Sequence, residues 1–290
     1  MKKESKIFLG SLLLANTLYA QNTTVIMPYF ATINYDSGLA TTKDSGASGG
    51  IYFSTGNLSH LFELDYSGTN IKYKDTTLLD LVQNDMTIAY SKYYETYMAK
   101  IGVHHLTTTD TDLGDGYTAI GKIGTYSWDN YDKYSYGLEG YYSYYKDGND
   151  DNDLSKDINI IQLTPYYEFS KAINLNTRNT LGLKANYILS PDYDTKDYIS
   201  YELENTLYYK KLFTTVKAYG GEMKSGVKDG GFTVYNTKDI IKDGYSVKIG
   251  YNAIENFSFS MSYAVNNFIE HGQTEETSND VLVFSWNMNF

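Results

Sequence analysis

Side chains with the types and spacing to do chemistry are few and scattered in this chain. Of its four histidines, His60, His104, His105 and His271, only the pair His104-His105, with Asp110 and Asp112 close behind, has the spacing of an acid–base site. Neighbouring residues on a strand point to opposite faces, so the two rings cannot serve one centre. The plainer reading is a pair of polar residues anchoring a loop, and no catalytic residue is assigned. In the segment Asp147–Asp153, Asp147, Asp150, Asp151 and Asp153 offer the clustered oxygens that Ca²⁺ takes from a flexible loop. The closing Glu of an EF-hand loop is absent at its spacing, so a solvated acidic loop tip competes with calcium, and the sequence points to no other cofactor. Asp110, Asp112 and Asp115 form a second acidic cluster. The chain has no Cys, so neither thiol chemistry nor disulfides contribute.

The remaining charges become informative once the elements that carry them are read. In Asp280–Phe290, Leu282, Phe284, Trp286, Met288 and Phe290 fall on one face of a strand; Val283, Ser285, Asn287 and Asn289 fall on the other. The same alternation runs through Asn256–Ile269, with Phe257, Phe259, Met261, Tyr263, Val265 and Ile269 opposite Ser258, Ser260, Ser262, Ala264 and Asn266. Similar runs lie at about 24–35, 47–55, 60–73, 81–91, 95–106, 117–127, 134–145, 158–168, 179–190, 197–209, 212–223 and 245–253, which predicts fourteen strands. Short connections near 56–59, 92–94, 128–133, 170–176, 210–211 and 254–256 alternate with longer polar ones near 36–46, 74–80, 107–116, 146–157, 191–196, 224–242 and 270–279. No repeated motif accompanies the period, which argues against a solenoid.

The N-terminus carries Lys2, Lys3 and Lys6 before the apolar run Ile7–Leu14, and Leu18-Tyr19-Ala20 supplies a small-residue cleavage site before Gln21. Residues 1–20 read as a secretory signal, because the run is too short to span a bilayer. Residues 21–290 then form one domain, with no Pro/Ser-rich linker to divide it. The signal holds three lysines and one glutamate, so 24 basic and 35 acidic residues become 21 and 34, a net charge near −13. Such a chain does not suit nucleic acid or anionic headgroups, which require a basic surface. Aromatic residues make up 16% of the chain, yet mean hydropathy is polar at −0.42. That combination fits membrane strands, in which lipid-facing apolar residues alternate with polar ones.

A strand that is aromatic on one face, largely polar on the other and ends on Phe resembles the closing strand of a bacterial outer-membrane β-barrel. The resemblance implies an all-β, antiparallel, up-and-down transmembrane barrel of about fourteen strands, with twelve or sixteen as alternatives. Its connections would be short periplasmic turns and longer external loops, and both termini would be periplasmic. It further implies outer-membrane lipid as surroundings, and Trp286 and Phe290 as the signal read by the barrel assembly machinery. The doublets Tyr141-Tyr142, Tyr144-Tyr145, Tyr166-Tyr167 and Tyr208-Tyr209 would each place one ring toward lipid and one inward.

Charges facing lipid near the midplane cost about 2–4 kcal/mol for Lys, so the barrel register puts them inside. The channel-lining list becomes Glu63, Asp65, Asp85, Glu139, Glu168, Glu202 and Glu204 with Lys100, Lys122, Lys184, Lys217 and Lys248. Glu63, Asp65 and Asp85 should adjoin, as should Lys100 and Lys122. A fourteen-strand circumference is too large for side chains alone to fill, so an open lumen is expected. In architecture the chain is similar to monomeric OmpG-like porins, which implies passive diffusion of small hydrophilic solutes. Arg178 is the only Arg, so the arginine ladder of trimeric porins is missing, although the 224–242 segment could fold inward. The small acidic excess inside predicts weak cation selectivity. The competing reading is a non-transporting surface barrel, an adhesin or structural protein whose long external loops carry the interaction.

Overall fold

The computed structural model describes residues 23–109, 113–149 and 155–290. The expected export signal at 1–20, the carboxylates Asp150, Asp151 and Asp153 of the calcium candidate, and Asp110 and Asp112 lie outside the described residues. Fourteen long strands form the wall. In chain order they are β1 (Thr23–Tyr35), β2 (Lys43–Gly56), β3 (His60–Tyr73), β4 (Leu81–Tyr93), β5 (Tyr97–Thr108), β6 (Gly116–Asp129) and β7 (Asp132–Asn149). They continue as β8 (Ser155–Asn174), β9 (Thr177–Leu189), β10 (Asp197–Tyr209), β11 (Leu212–Gly221), β12 (Ile240–Ile254), β13 (Phe257–Ile269) and β14 (Thr277–Asn289).

Each strand pairs antiparallel with its sequence neighbours, and β1 pairs with β14 from Val25↔Asn289 to Tyr35↔Asn279. The sheet is therefore closed and has no free edge. Phe290 finishes the seam: its N–H donates to the Thr24 carbonyl at 2.9 Å, and the Thr24 N–H donates to the Phe290 carbonyl at 3.1 Å. In hydrocarbon an open edge would leave peptide groups without partners, at several kcal/mol each, so closure is the condition for spanning. The ladder skips Thr164 and Pro165 between β8 and β9, because proline has no N–H to give. There the Thr164 hydroxyl bridges instead to the Asn186 side chain at 2.8 Å.

Alternation fixes the two faces of the wall. Phe259, Met261, Tyr263, Phe284 and Trp286 are exposed on the outside, whereas Ser258, Ser260 and Ser285 are buried inside. The tyrosine doublets divide as expected in two clear cases: Tyr141 is buried and Tyr142 exposed, and Tyr145 is buried with Tyr144 on the outer face. Strands β7 and β8 run longer than the apolar pattern predicts, to Asn149 and from Ser155. Beyond the hydrocarbon no lipid imposes alternation, so the polar residues there continue the ladder, with an irregularity between Tyr145 and Gly148.

Six short turns join the strands at one end and seven longer connections at the other. The connection between β11 and β12, residues 222–239, turns back into the barrel. It carries short paired strands, Val227–Lys228 with Thr233–Val234, around a tight turn at Asp229–Gly231. Gly231 adopts φ +97°, and any Cβ there would run into the Ile120 side chain of the wall. Only glycine allows so close an approach in that conformation.

The seam yields a direct expectation. Phe290→Asp places a charge at the last paired residue and is expected to lower the amount of heat-modifiable, membrane-inserted barrel while export across the inner membrane continues. Cell fractionation with a mobility-shift gel reads this; wild-type levels of inserted protein would remove Phe290 from any role in closure.

Candidate functional site

The lumen divides into two halves of different chemistry. On the long-loop side, Leu106, Ile120, Tyr141, Tyr145, Ile158, Ile160, Ile188 and Tyr198 of the wall pack with Leu113 and with Met223, Val227 and Val234 of the inserted segment. Tyr145, Leu106, Ile158 and Ile188 are fully buried there. The expectation of an open lumen therefore fails for this half. Fourteen strands do leave more room than side chains fill, and a stretch of backbone from 222–239 occupies the remainder.

The segment is held by polar contacts as well as packing. Gln162 of β8 makes a two-sided clamp on Val227: its Nε2 donates to the Val227 carbonyl, and its Oε1 accepts from the Val227 N–H, each at 2.7 Å. Lys217 Nζ donates to Asp229 Oδ1 at 2.9 Å, and Lys43 of β2 pairs with Asp239. The Phe232 ring stands edge-on to Tyr52, with centroids 5.6 Å apart, and lies 4.5 Å beneath Lys100 Nζ. Lys217 beside Asp229 holds that carboxyl well below its usual range, even though about half of its side-chain surface faces open space. Burial lowers the neighbouring Lys228 to about 8, partly offset by Glu202 and Asp229, and its ammonium rests 3.3 Å from the Tyr219 ring centroid.

On the short-turn side lies a cavity of about 710 Å³. Its wall carries Glu63, Glu204 and Asp229 against Lys100, Lys122, Lys217 and Lys248, and a band of hydroxyls from β10 to β14 that includes Thr206, Thr215, Ser246, Ser258, Ser260, Ser262 and Ser285. Tyr52, Tyr93, Tyr208 and Phe213 supply aromatic surface. The Phe213 ring lies over Gly250, where any side chain would collide with it.

The residues assigned inward from the sequence occupy inward positions, and most end on partners. Lys100 and Lys122 are directly opposite in the β5–β6 ladder. Their like charges are tolerable because each has its own carboxylate: Glu63 at 3.0 Å from Lys100, and Glu139 at 2.8 Å from Lys122. Glu139 is almost completely buried and also takes Lys184 at 3.2 Å and the Tyr141 hydroxyl at 2.7 Å. Glu202 accepts from Asn186 at 3.1 Å, and Lys217 reaches Glu204 at 3.3 Å.

Glu63 and Asp65 share one face of β3, with Asp85 diagonally across the β3–β4 ladder opposite Ser67, yet each carboxylate is engaged by its own donor. Glu63 is drawn to Lys100 and the Tyr52 hydroxyl, Asp65 accepts from the Tyr29 hydroxyl at 3.1 Å, and Asp85 takes His104 Nε2 at 3.2 Å. Each carboxylate is thus satisfied by a different donor. His104 faces inward with Thr87 on its other nitrogen at 2.7 Å, while His105 faces outward and stacks on Tyr117. Thr87 is buried, so no substrate reaches a hydroxyl at that position.

Inward charges outside the sequence list include Lys43, Lys133, Lys228, Asp229 and Asp239. Lys133, at the first turn of β7, bonds Glu168 at 3.4 Å; it lies one residue before the alternating run begins. Asp229 enters only because its loop folds inward, and no local pattern signals that. Tyr141 and Tyr145 are packed into the apolar half and offer no ring face to a solute, and the Tyr166 ring is covered by Lys122 at 4.0 Å. Among the described residues no group of three or more His, Asp or Glu side chains is placed to hold a metal ion.

The Glu139 cluster makes a quantitative expectation. Removing the counter-charge of two lysines at a buried site costs about 3 kcal/mol or more, so Glu139→Gln is expected to shift the urea-unfolding midpoint of the lipid-embedded barrel strongly downward. Glu168→Gln, at a longer and more exposed pair, is expected to cost about 1 kcal/mol or less. Equal effects of the two substitutions would contradict the assignment of Glu139 as the central counter-charge.

No protein-family model and no curated protein sequence matches the chain. Its fold does match solved structures. The CymD monoaromatic hydrocarbon channel superposes with a TM-score of 0.54 at 8% identity over 92% of this chain and 88% of that one. The Ralstonia pickettii toluene transporter TbuX gives 0.52 at 8% identity over 94% and 90%. The Pseudomonas putida toluene transporter TodX gives 0.51 at 9% identity over 99% and 95%. At such identities the likeness is one of fold: the chain is a closed fourteen-strand barrel of the outer-membrane β-barrel type.

Proposed function

We propose that the protein is an outer-membrane channel for passive diffusion of small hydrophilic solutes, with the 222–239 segment as its constriction. The observation that carries this reading is the cavity of about 710 Å³, polar and charged on its inner wall, enclosed by strands whose outer faces are apolar. A wall made only for structure has no need of four lysines, three carboxylates and a hydroxyl band around empty volume. Residues 1–20 act as the export signal, and the β14 strand ending in Trp286 and Phe290 is what the barrel assembly machinery reads. The external loop at Asp147, Asp150, Asp151 and Asp153 is a calcium candidate on composition alone.

The structural neighbours described as monoaromatic hydrocarbon and toluene channels raise an apolar cargo as the contrasting possibility. The lumenal chemistry favours polar solutes, since hydroxyl and ammonium groups would lose water to an apolar guest without replacing its hydrogen bonds. The surface-barrel reading draws on one specific observation, the apolar packing of the long-loop half. Whether segment 222–239, tethered to β11 and β12 at its two ends and otherwise held by noncovalent contacts, leaves a path for solutes is what distinguishes the two readings.

Two measurements test this. In planar bilayers the unmodified protein is expected to give small stepwise openings, and deletion of residues 225–238 is expected to raise the conductance several-fold. Silence of both well-folded proteins would favour the surface barrel. Reversal potentials under a salt gradient are expected to show a weak cation preference at about 0.1 M salt that fades toward about 1 M as the screening length shrinks. The additional inward bases Lys43, Lys133 and Lys228 are set against the additional acids Asp229 and Asp239, so the acidic excess and the preference stay small, and anion preference in the unmodified protein would overturn it.

A further inference from the structure

Lys248 stands apart among the lysines of the cavity. Lys100 ends on Glu63, Lys122 on Glu139, and Lys217 on both Glu204 and Asp229. Lys248 has no carboxylate within ion-pair distance among the described residues; the nearby acids Glu204 and Asp229 are both engaged by Lys217, and the Phe213 ring lies 5.9 Å from Nζ. A half-buried ammonium whose neighbouring acids are already paired with another lysine gains from an acceptor supplied in the lumen.

Its surroundings are built from hydroxyls. In the wall Lys248 sits directly between Thr215 of β11 and Ser262 of β13. Ser246 precedes it on the same face, and Ser260 and Ser285 lie beyond Ser262, bonded to each other at 2.7 Å. Ser246 and Ser262 make no side-chain hydrogen bond among the described residues, so their donors and acceptors are free to face the cavity. The volume falls within the range of sites that enclose small molecules.

We infer that Lys248, with Ser246, Ser262 and Thr215, forms a binding subsite for a small hydroxylated monocarboxylate of the sugar-acid kind. This deepens the channel reading by naming a solute class, and it rests on that reading for its purpose. One carboxylate satisfies the one unpaired ammonium through a charge-assisted hydrogen bond. The hydroxyl band receives the guest's hydroxyls, and the Phe213 face covers its C–H surface. A dianion such as phosphate is disfavoured, because Glu204 and Asp229 stand nearby and no Arg fork is present. A cationic subsite is compatible with weak overall cation preference: salt current samples the whole lumen, whereas retention of an anion depends on one position.

Equilibrium dialysis of the folded, detergent-solubilised protein against labelled gluconate, glucose and propionate tests the subsite without requiring conduction. Gluconate is expected to bind about tenfold more tightly than either of the others, since each lacks half of the matching groups and one charged hydrogen bond is worth that factor. Lys248→Met is expected to lose this advantage, and Lys248→Arg to keep most of it, with heat-modifiable mobility confirming that both variants fold. Unchanged gluconate binding in Lys248→Met, or glucose or propionate binding as tightly as gluconate, would overturn the proposal. A protein that binds gluconate yet never conducts would sink the channel reading and leave the subsite standing.

Discussion

Every feature of this molecule follows from the demand that no peptide group be left unpaired in hydrocarbon. A helix meets that demand within itself; a strand meets it only through neighbours, so the first strand must find the last. The β1–β14 ladder and its terminal Thr24–Phe290 bonds complete the circle. Closure then forces the side chains into two populations, because a strand offers only two faces. Lipid takes Phe259, Met261, Tyr263, Phe284 and Trp286, and charges at the depth of the hydrocarbon go inside, while outward acids such as Asp197 and Asp280 sit near the strand ends.

Inside, the constraint changes from hydrogen bonds to charge. Lysines and carboxylates confined together either pair or remain hydrated, and this barrel does both in different halves. Glu139 gathers Lys122, Lys184 and Tyr141 in a nearly dry setting, where loss of one member strands the rest. Around the cavity Lys100 and Lys217 are paired at similar distances, and one ammonium, that of Lys248, has no carboxylate within ion-pair distance among the described residues. The inserted 222–239 segment marks the border between the two regimes. It adds apolar side chains to the long-loop half and presents Asp229 to the cavity below.

The wall was legible in the sequence because alternation is enforced residue by residue by lipid on one side. The spans found for β3 and β10 match the structure at both ends, and every other barrel strand is located, with the largest misses at the end of β8, six residues further than expected, and the start of β12, five residues earlier. Legibility fades where lipid stops acting. The polar extensions of β7 and β8 carry no apolar rhythm, and Lys133 was missed because it sits at that boundary. The partners of the inward charges were harder still: Glu63 reaches Lys100 two strands away, a contact set by side-chain length and wall curvature. The clamp between Gln162 and Val227 joins residues 65 positions apart, and nothing local in either stretch announces it. Length and polarity alone made 224–242 a candidate for folding inward; the glycine at position 231, with its left-handed backbone against Ile120, is a local mark of that packing.

The central claim is that the lumen is a polar cavity capped from the long-loop side by this segment. The chain has no cysteine of its own, so a single Ser262→Cys reports on access without background. The decisive measurement is its rate of reaction with a membrane-impermeant maleimide in intact cells, with and without residues 225–238. A capped cavity predicts labelling several-fold slower when the segment is present, and fast labelling in permeabilised cells either way. Equally fast labelling of intact cells with the segment in place would mean that it does not close the lumen.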